Sequence, residues 1–187
     1  MILNKKYITG ALALAMAIGF SGCAKYEVLP NKVDIKAKFA DAKWDGNRVP
    51  KDEICSDYNK NGGHSPKIMI TNLPKDTNKI ILSFNDESVQ RMNHGGHGVV
   101  GYKVANSSTN VTIPSIKGET FNLPVNFTSE NAHNGGQFGK TPGAYLPPCS
   151  GGRGNTYSVN IEAIQEFGSD EKKPMLLGDT KLKMGIY

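Results

Sequence analysis

The chain has 187 residues, with 22 Lys and Arg against 17 Asp and Glu, and a formal charge of +5 at pH 7. Two of the basic residues, Lys5 and Lys6, precede an apolar leader, and without them the balance is 20 to 17. So small an excess contains only three arginines, lacks interleaved aromatics and is spread along the chain, which argues against nucleic acid as a partner.

Residues 1–22 have the three parts of an export signal: Lys5 and Lys6, a mostly apolar run from Ile8 to Phe20, and the small residues Ser21 and Gly22 before Cys23. The run of 13 residues falls short of the roughly 20 that span a bilayer as a helix. Phe20-Ser21-Gly22-Cys23 resembles the lipobox of bacterial lipoproteins, with Phe20 where Leu is usual. That resemblance implies cleavage before Cys23, attachment of a diacylglyceryl group with palmitate-type chains to its thiol, and a lipid anchor. The alternative is an ordinary secretory signal with an incidental cysteine. Ala24 in place of aspartate points to the outer membrane of the bacterial envelope. Removal of the leader leaves 165 residues, enough for one domain with a sizeable core. The expected organisation is a signal over 1–22, a lipidated tether over 23–31 and a single domain over 32–187.

Along that domain the apolar pattern is one of strands. Val33, Ile35, Ala37 and Phe39 alternate with Asp34, Lys36 and Lys38, and similar signals recur at Ile68–Ile70, Ile80–Phe84, Val99–Val104, Val111–Ile113, Tyr157–Ile164 and Leu182–Tyr187. Helical periodicity is weak, with short helices conceivable only at 164–167 and 170–177. With 21 Gly and 10 Pro as punctuation, the chain is expected to be mainly antiparallel β. The Asn-, Gly- and Pro-rich stretch over 118–154 reads as a long functional loop, ordered by its aromatic residues.

With Cys23 assigned to lipid, Cys55 and Cys149 remain as an even pair in an exported chain, and a disulfide between them is predicted. Free thiols are the alternative. If the strands at 80–84 and 98–104 pair antiparallel, Asp86 comes close to His97. A carboxylate beside an imidazole favours the imidazolium, which together with nearby glycine amides would hold an anionic oxygen. Other uses of the same residues are a metal site drawing on His64, His94, His97, His133 and Asp86, a hydrolytic triad of Ser88, His97 and Asp86, and a ligand-free wall. No zinc-type spacing and no Gly-x-Ser-x-Gly elbow is present, so neither metal, other cofactor nor enzymatic turnover is expected.

Taken in order, these segments resemble the phosphatidylethanolamine-binding protein family, in its bacterial Raf-kinase-inhibitor-like branch. The likeness runs over about residues 54–164 and the chain end. It is made by Cys55, Gly63-His64-Ser65-Pro66-Lys67-Ile68, Leu73-Pro74-Lys75-Asp76-Thr77, Asp86, His97-Gly98-Val99-Val100, Phe138-Gly139, Tyr145-Leu146-Pro147-Pro148-Cys149, Tyr157–Ile164 and Gly185-Ile186-Tyr187. The resemblance implies a sandwich of a large and a smaller antiparallel sheet, with a small pocket for phosphate-like or phospholipid head-group-like anions lined by Asp86, His97, Tyr145 and Pro148. Glu87 and Ser88 depart from the family's Pro and second Asp, and Asn155-Thr156 from its His-Arg, which implies an altered pocket. The expected function is a membrane-anchored, non-enzymatic binding protein for a small anion. The alternatives are a cell-surface or periplasmic protein-interaction or inhibitor module and, third, a metal-dependent hydrolase.

Overall fold

The computed structural model describes residues 25–105, 108–168 and 172–187. The export signal and Cys23 lie outside the described residues. Among the described residues, nine strands form two sheets. The larger has six strands in the order β1 (Glu27–Asp34), β9 (Met175–Ile186), β8 (Thr156–Gln165), β4 (Lys79–Asp86), β5 (Val99–Lys103) and β7 (Phe127–Asn131); the smaller joins β2 (Lys36–Phe39), β3 (Ile68–Thr71) and β6 (Asn110–Ile113). Pairing is antiparallel throughout except at one edge, where β1 runs parallel to β9. The mainly β, two-sheet architecture expected from the alternating segments is present. The only helical turns among the described residues are two short 3-10 segments, Gln90–Met92 and Asn134–Phe138.

The two sheets face each other across a common core. On β4, Ile80, Leu82 and Phe84 point inward beside Val159 and Ile161 of β8 and Val100 of β5, and from the opposite sheet Ile68, Ile70 and Ile113 meet them. Each such side chain contributes roughly 1.5–3 kcal/mol on burial. The other face of the large sheet holds a smaller apolar cluster of Ile81, Val99, Ile164 and Leu176, which Tyr26 partly covers. This double burial explains why β4 reads as a nearly continuous apolar run rather than an alternating one.

Three sequence expectations are corrected. The tether over 23–31 is shortened from its far side, because Glu27–Asn31 belong to β1, whose edge position is satisfied by backbone pairing with β9 and needs little apolar content. The conceivable helices at 164–167 and 170–177 are met by the end of β8 at 164–165 and the start of β9 at 175–177, since Ile164 pairs with Leu176 and Gln165 with Met175, while 170–171 lie outside the described residues. Within 118–154, Phe127–Asn131 forms the edge strand β7, with Phe127 alone among its five residues buried.

Candidate functional site

The site is assembled where β4 ends and β5 begins. His97 is fixed by backbone bonds on both sides: its N–H donates to the Phe84 carbonyl at 3.0 Å, and its carbonyl accepts from the Leu146 N–H at 2.9 Å. The next residue must be glycine. Gly98 has a φ of +110°, and a Cβ there would overlap the Ala144 carbonyl. Close contact between the 87–98 connection and the 143–149 loop is what turns the imidazole inward. The register of β4 on β8 then places Asp86 opposite Tyr157.

These residues line a cavity of about 140 Å³, below the roughly 300–1,000 Å³ typical of sites for drug-sized ligands. Its deep part is formed by Asp86, His97, Tyr157, Met92 and Leu146, all buried. Its rim is formed by Phe138, Lys140, Arg153 and Asn155, with Phe138 and Arg153 exposed. One Asp86 oxygen accepts the Ser88 N–H at 2.9 Å and the other accepts the Asn155 side-chain amide at 2.6 Å. The Tyr157 hydroxyl oxygen accepts the Cys149 N–H at 3.2 Å, and the ring stands edge-on to His97 with centroids 5.3 Å apart. Burial, reinforced by the Asp86 charge, pushes the Tyr157 phenol up to about 12.

The expected imidazolium is not there. Burial drives the His97 pKa down to about 4, outweighing the carbonyl of Leu146 and the charge of Asp86, which act in the opposite direction. His97 is therefore neutral at pH 7, because desolvation of the buried cation costs more than the Asp86 charge and the Leu146 carbonyl return. Its Nδ1 lies 2.8 Å from the Leu146 carbonyl, and since that oxygen only accepts, Nδ1 holds the proton. Nε2 is then left as an acceptor.

Of the four residues that the resemblance assigned to the pocket, Asp86 and His97 line it and the other two do not. Tyr145 is buried in the main core against Phe84, with ring centroids 4.5 Å apart and a hydroxyl that has no partner among the described residues. Pro148 turns its carbonyl to the Cys55 N–H at 3.1 Å. Tyr157 takes the tyrosine's place because β8 runs antiparallel beside β4, a pairing that no local sequence signal reveals. Arg153 and Lys140 are the other residues missed. The isolated Gly-Gly-Arg-Gly stretch over 151–154 was the one available hint of a specialised loop.

Cys55 and Cys149 form the predicted disulfide, 94 residues apart, with Cα atoms 5.2 Å apart, and Cys149 is part of the cavity wall. The same two sulfurs and Asp57 are the one group with metal-ligand spacing among the described residues, and the sulfurs are tied to each other. The histidines do not converge: His64 faces Glu53, His94 is exposed, and His133 has Nε2 2.9 Å from the Thr141 carbonyl. Ser88 does not line the cavity, and its hydroxyl accepts the Thr156 N–H at 3.0 Å.

No family model matches the chain, and no curated protein matches it. Among solved structures it is similar to a protein described as a candidate phosphatidylethanolamine-binding protein homologue from Chlamydia trachomatis D/UW-3/CX, at 16% identity and a TM-score of 0.46, over 82% of this chain and 97% of that one.

Proposed function

We propose that the chain is a lipid-anchored, non-enzymatic binding domain of the bacterial envelope, attached through Cys23, whose cavity holds a small ligand bearing an anionic group of the phosphate type. The observation that supports the reading most is the cavity itself: a small recess with a buried polar floor of Asp86, His97 and Tyr157 and cationic side chains, Arg153 and Lys140, at its mouth. Lys140 is paired with Asp57, whereas Arg153 has no ion-pair partner among the described residues.

Anchoring is compatible with this placement. Glu27 pairs with Met175, beside Gln165, at the end of the large sheet where β4 starts, and Asp86 lies at the other end. At about 3.3 Å per residue, β4 alone separates the two by roughly 23 Å. No helix among the described residues is long and apolar enough to cross a membrane, so on this reading attachment comes from acyl chains, each methylene contributing about 0.8 kcal/mol.

The test has two parts. Intact mass of the membrane-extracted protein is expected to show a chain beginning at Cys23 with acyl groups attached, and a Cys23→Ser variant to lose membrane association. Calorimetric titration with inorganic phosphate and phosphate monoesters is expected to show binding that Arg153→Gln weakens, because Arg153 is the cationic side chain at the cavity's mouth. A second reading, an interaction module for another protein, is favoured by the exposed Phe121, Val125 and Phe138 in the segment between β6 and β8. It would replace the first if the folded, anchored protein bound no anion.

A further inference from the structure

Cys55 and Asp57 share one tight turn. The N–H groups of Tyr58 and Asn59 both donate to the Cys55 carbonyl, at 3.1 and 3.0 Å, and the turn brings the Asp57 carboxylate beside the disulfide. One ligating atom from each of Cys55, Asp57 and Cys149 lies within 4.8 Å of the other two. In the oxidised chain the sulfurs are bonded to each other. Opened, they offer two thiolates next to a carboxylate.

The two segments are held together by more than the S–S bond. The Cys55 N–H donates to the Pro148 carbonyl at 3.1 Å, the Cys149 N–H to the Tyr157 hydroxyl at 3.2 Å, and the Ser150 hydroxyl to the Tyr187 carbonyl at 2.6 Å. None of these bonds involves sulfur, so reduction leaves the Cα atoms of Cys55 and Cys149 near their 5.2 Å separation. Two sulfurs on one tetrahedral zinc ion are roughly 3.8 Å apart, from Zn–S bonds of about 2.3 Å, and side-chain rotation supplies that spread. Cys55 is buried, Cys149 half-buried and Asp57 exposed, which leaves the group open to an ion arriving from solvent.

Charge and softness select the ion. Two thiolates favour zinc over magnesium or calcium, and three protein ligands leave a fourth tetrahedral position for water. Asp57 is ion-paired with Lys140. A carboxylate has two oxygens, so one keeps the lysine while the other takes the metal. Two thiolates, the carboxylate, Lys140 and Zn²⁺ then sum to zero, and no uncompensated charge is left in the half-buried wall.

We infer that reduction of the Cys55–Cys149 bond creates a zinc site at the cavity wall, with both sulfurs and the Asp57 carboxylate as ligands. It stands apart from the anion-binding and anchoring readings above. A dithiol reductant supplies two electrons and two protons and leaves as its own disulfide, while the S–S bond of the chain becomes two thiols. Zinc displaces both thiol protons into solvent as two Zn–S bonds and one Zn–O bond form. While the metal is bound, the sulfurs cannot pair again.

The experiment uses the full chain bearing Cys23→Ser, in which Cys55 and Cys149 are the only cysteines. It is reduced with a phosphine, separated from it under nitrogen and titrated with Co²⁺ and then Zn²⁺. The reduced chain is expected to take up one Co²⁺ with a thiolate-to-metal charge-transfer band and tetrahedral visible bands, which one equivalent of Zn²⁺ removes; the oxidised chain is expected to show neither. Asp57→Asn alters an exposed pair that contributes little to the fold. It is expected to weaken Zn²⁺ retention against a chromophoric chelator by about tenfold or more. Absence of the charge-transfer band in a reduced chain whose circular dichroism matches the oxidised one would overturn the site. Undiminished retention in Asp57→Asn would overturn the three-ligand set. Where reduction unfolds the chain, Zn²⁺ is expected to restore the oxidised spectrum, and its failure to do so overturns the site as well.

Discussion

The two ends of the large sheet treat polar groups in opposite ways. Where β4 starts, Lys79 is nearly buried and bonds Glu130 at 2.9 Å and Glu166 at 2.6 Å; Thr128 adds a bond to Glu130, and Asn78 and Glu166 exchange side-chain and backbone bonds. Burial opposes the Lys79 charge, but its bonds to both glutamates outweigh that and raise its pKa. Where β4 ends, Asp86 is held by two donors, yet the Nε2 of His97 and the guanidinium of Arg153 have no protein partner among the described residues. The first end is a closed electrostatic unit that stabilises the fold. At the second, hydrogen-bonding capacity is left unused by the described residues, which is what the proposed binding function requires.

Breaking the disulfide is the largest test of this contrast. Replacing Cys55 and Cys149 together by serine is expected to lower stability by about 2–5 kcal/mol, read by thermal melting. Hydrogen exchange should accelerate at 146–155 far more than at 79–81, because Cys149 is in the cavity wall and Lys79 is not. Uniform acceleration across both ends would show that they are not independent.

The pH test separates the ends by sign. His97 has a lowered pKa, about 4 against an ordinary 6.5, so its contribution is fully present above 6.5 and is lost as pH falls from there towards 4, by about 3 kcal/mol at most. Chemical denaturation across that range should show the loss, and His97→Gln should flatten it. The raised pKa of Lys79 acts at the alkaline extreme: its contribution is present at neutral pH and is lost only above the ordinary lysine value.

A smaller effect distinguishes stability from binding. Lys79→Met leaves two carboxylates facing each other and is expected to cost about 1–3 kcal/mol without changing ligand affinity. Arg153→Gln is expected to leave the melting temperature nearly unchanged while weakening binding. The reverse pattern would mean that the two ends have been assigned the wrong roles. The smallest shift is expected from Tyr145→Phe, which removes a buried hydroxyl with no partner among the described residues. Stability should change by under about 1 kcal/mol and binding not at all, whereas Tyr157→Phe should weaken binding. Calorimetry on the two variants makes the comparison.

Much of the fold was legible because strands report themselves locally. The alternation of Tyr157, Val159, Ile161 and Ala163 with polar neighbours, and the apolar run at Ile80–Phe84, mark β8 and β4 without reference to anything distant. Strand β1 before Val33 carries no sequence signal because an exposed edge needs few apolar side chains, and β7 carries none because a single buried Phe127 gives no period. Half of the candidate site was legible for the same reason: Asp86 and His97 flank one connection, so simple antiparallel pairing brings them together. Tyr157, Arg153 and Lys140 enter from segments 40–70 residues further on, and only the register of β8 and the 134–155 loop brings them in.

By itself the sequence determined the central strand segments, the pairing of Cys55 with Cys149, and the closeness of Asp86 to His97, since each follows from side-chain period, cysteine count or a short connection. Only the tertiary structure decided the protonation of His97, the exchange of Tyr145 for Tyr157 in the cavity wall, and the placing of Arg153 at its mouth. The reason is physical. Charge state depends on the burial that surrounding segments impose, and whether a side chain faces a cavity or the core depends on strand register and loop packing, neither of which is a property of the residue's neighbours in the chain.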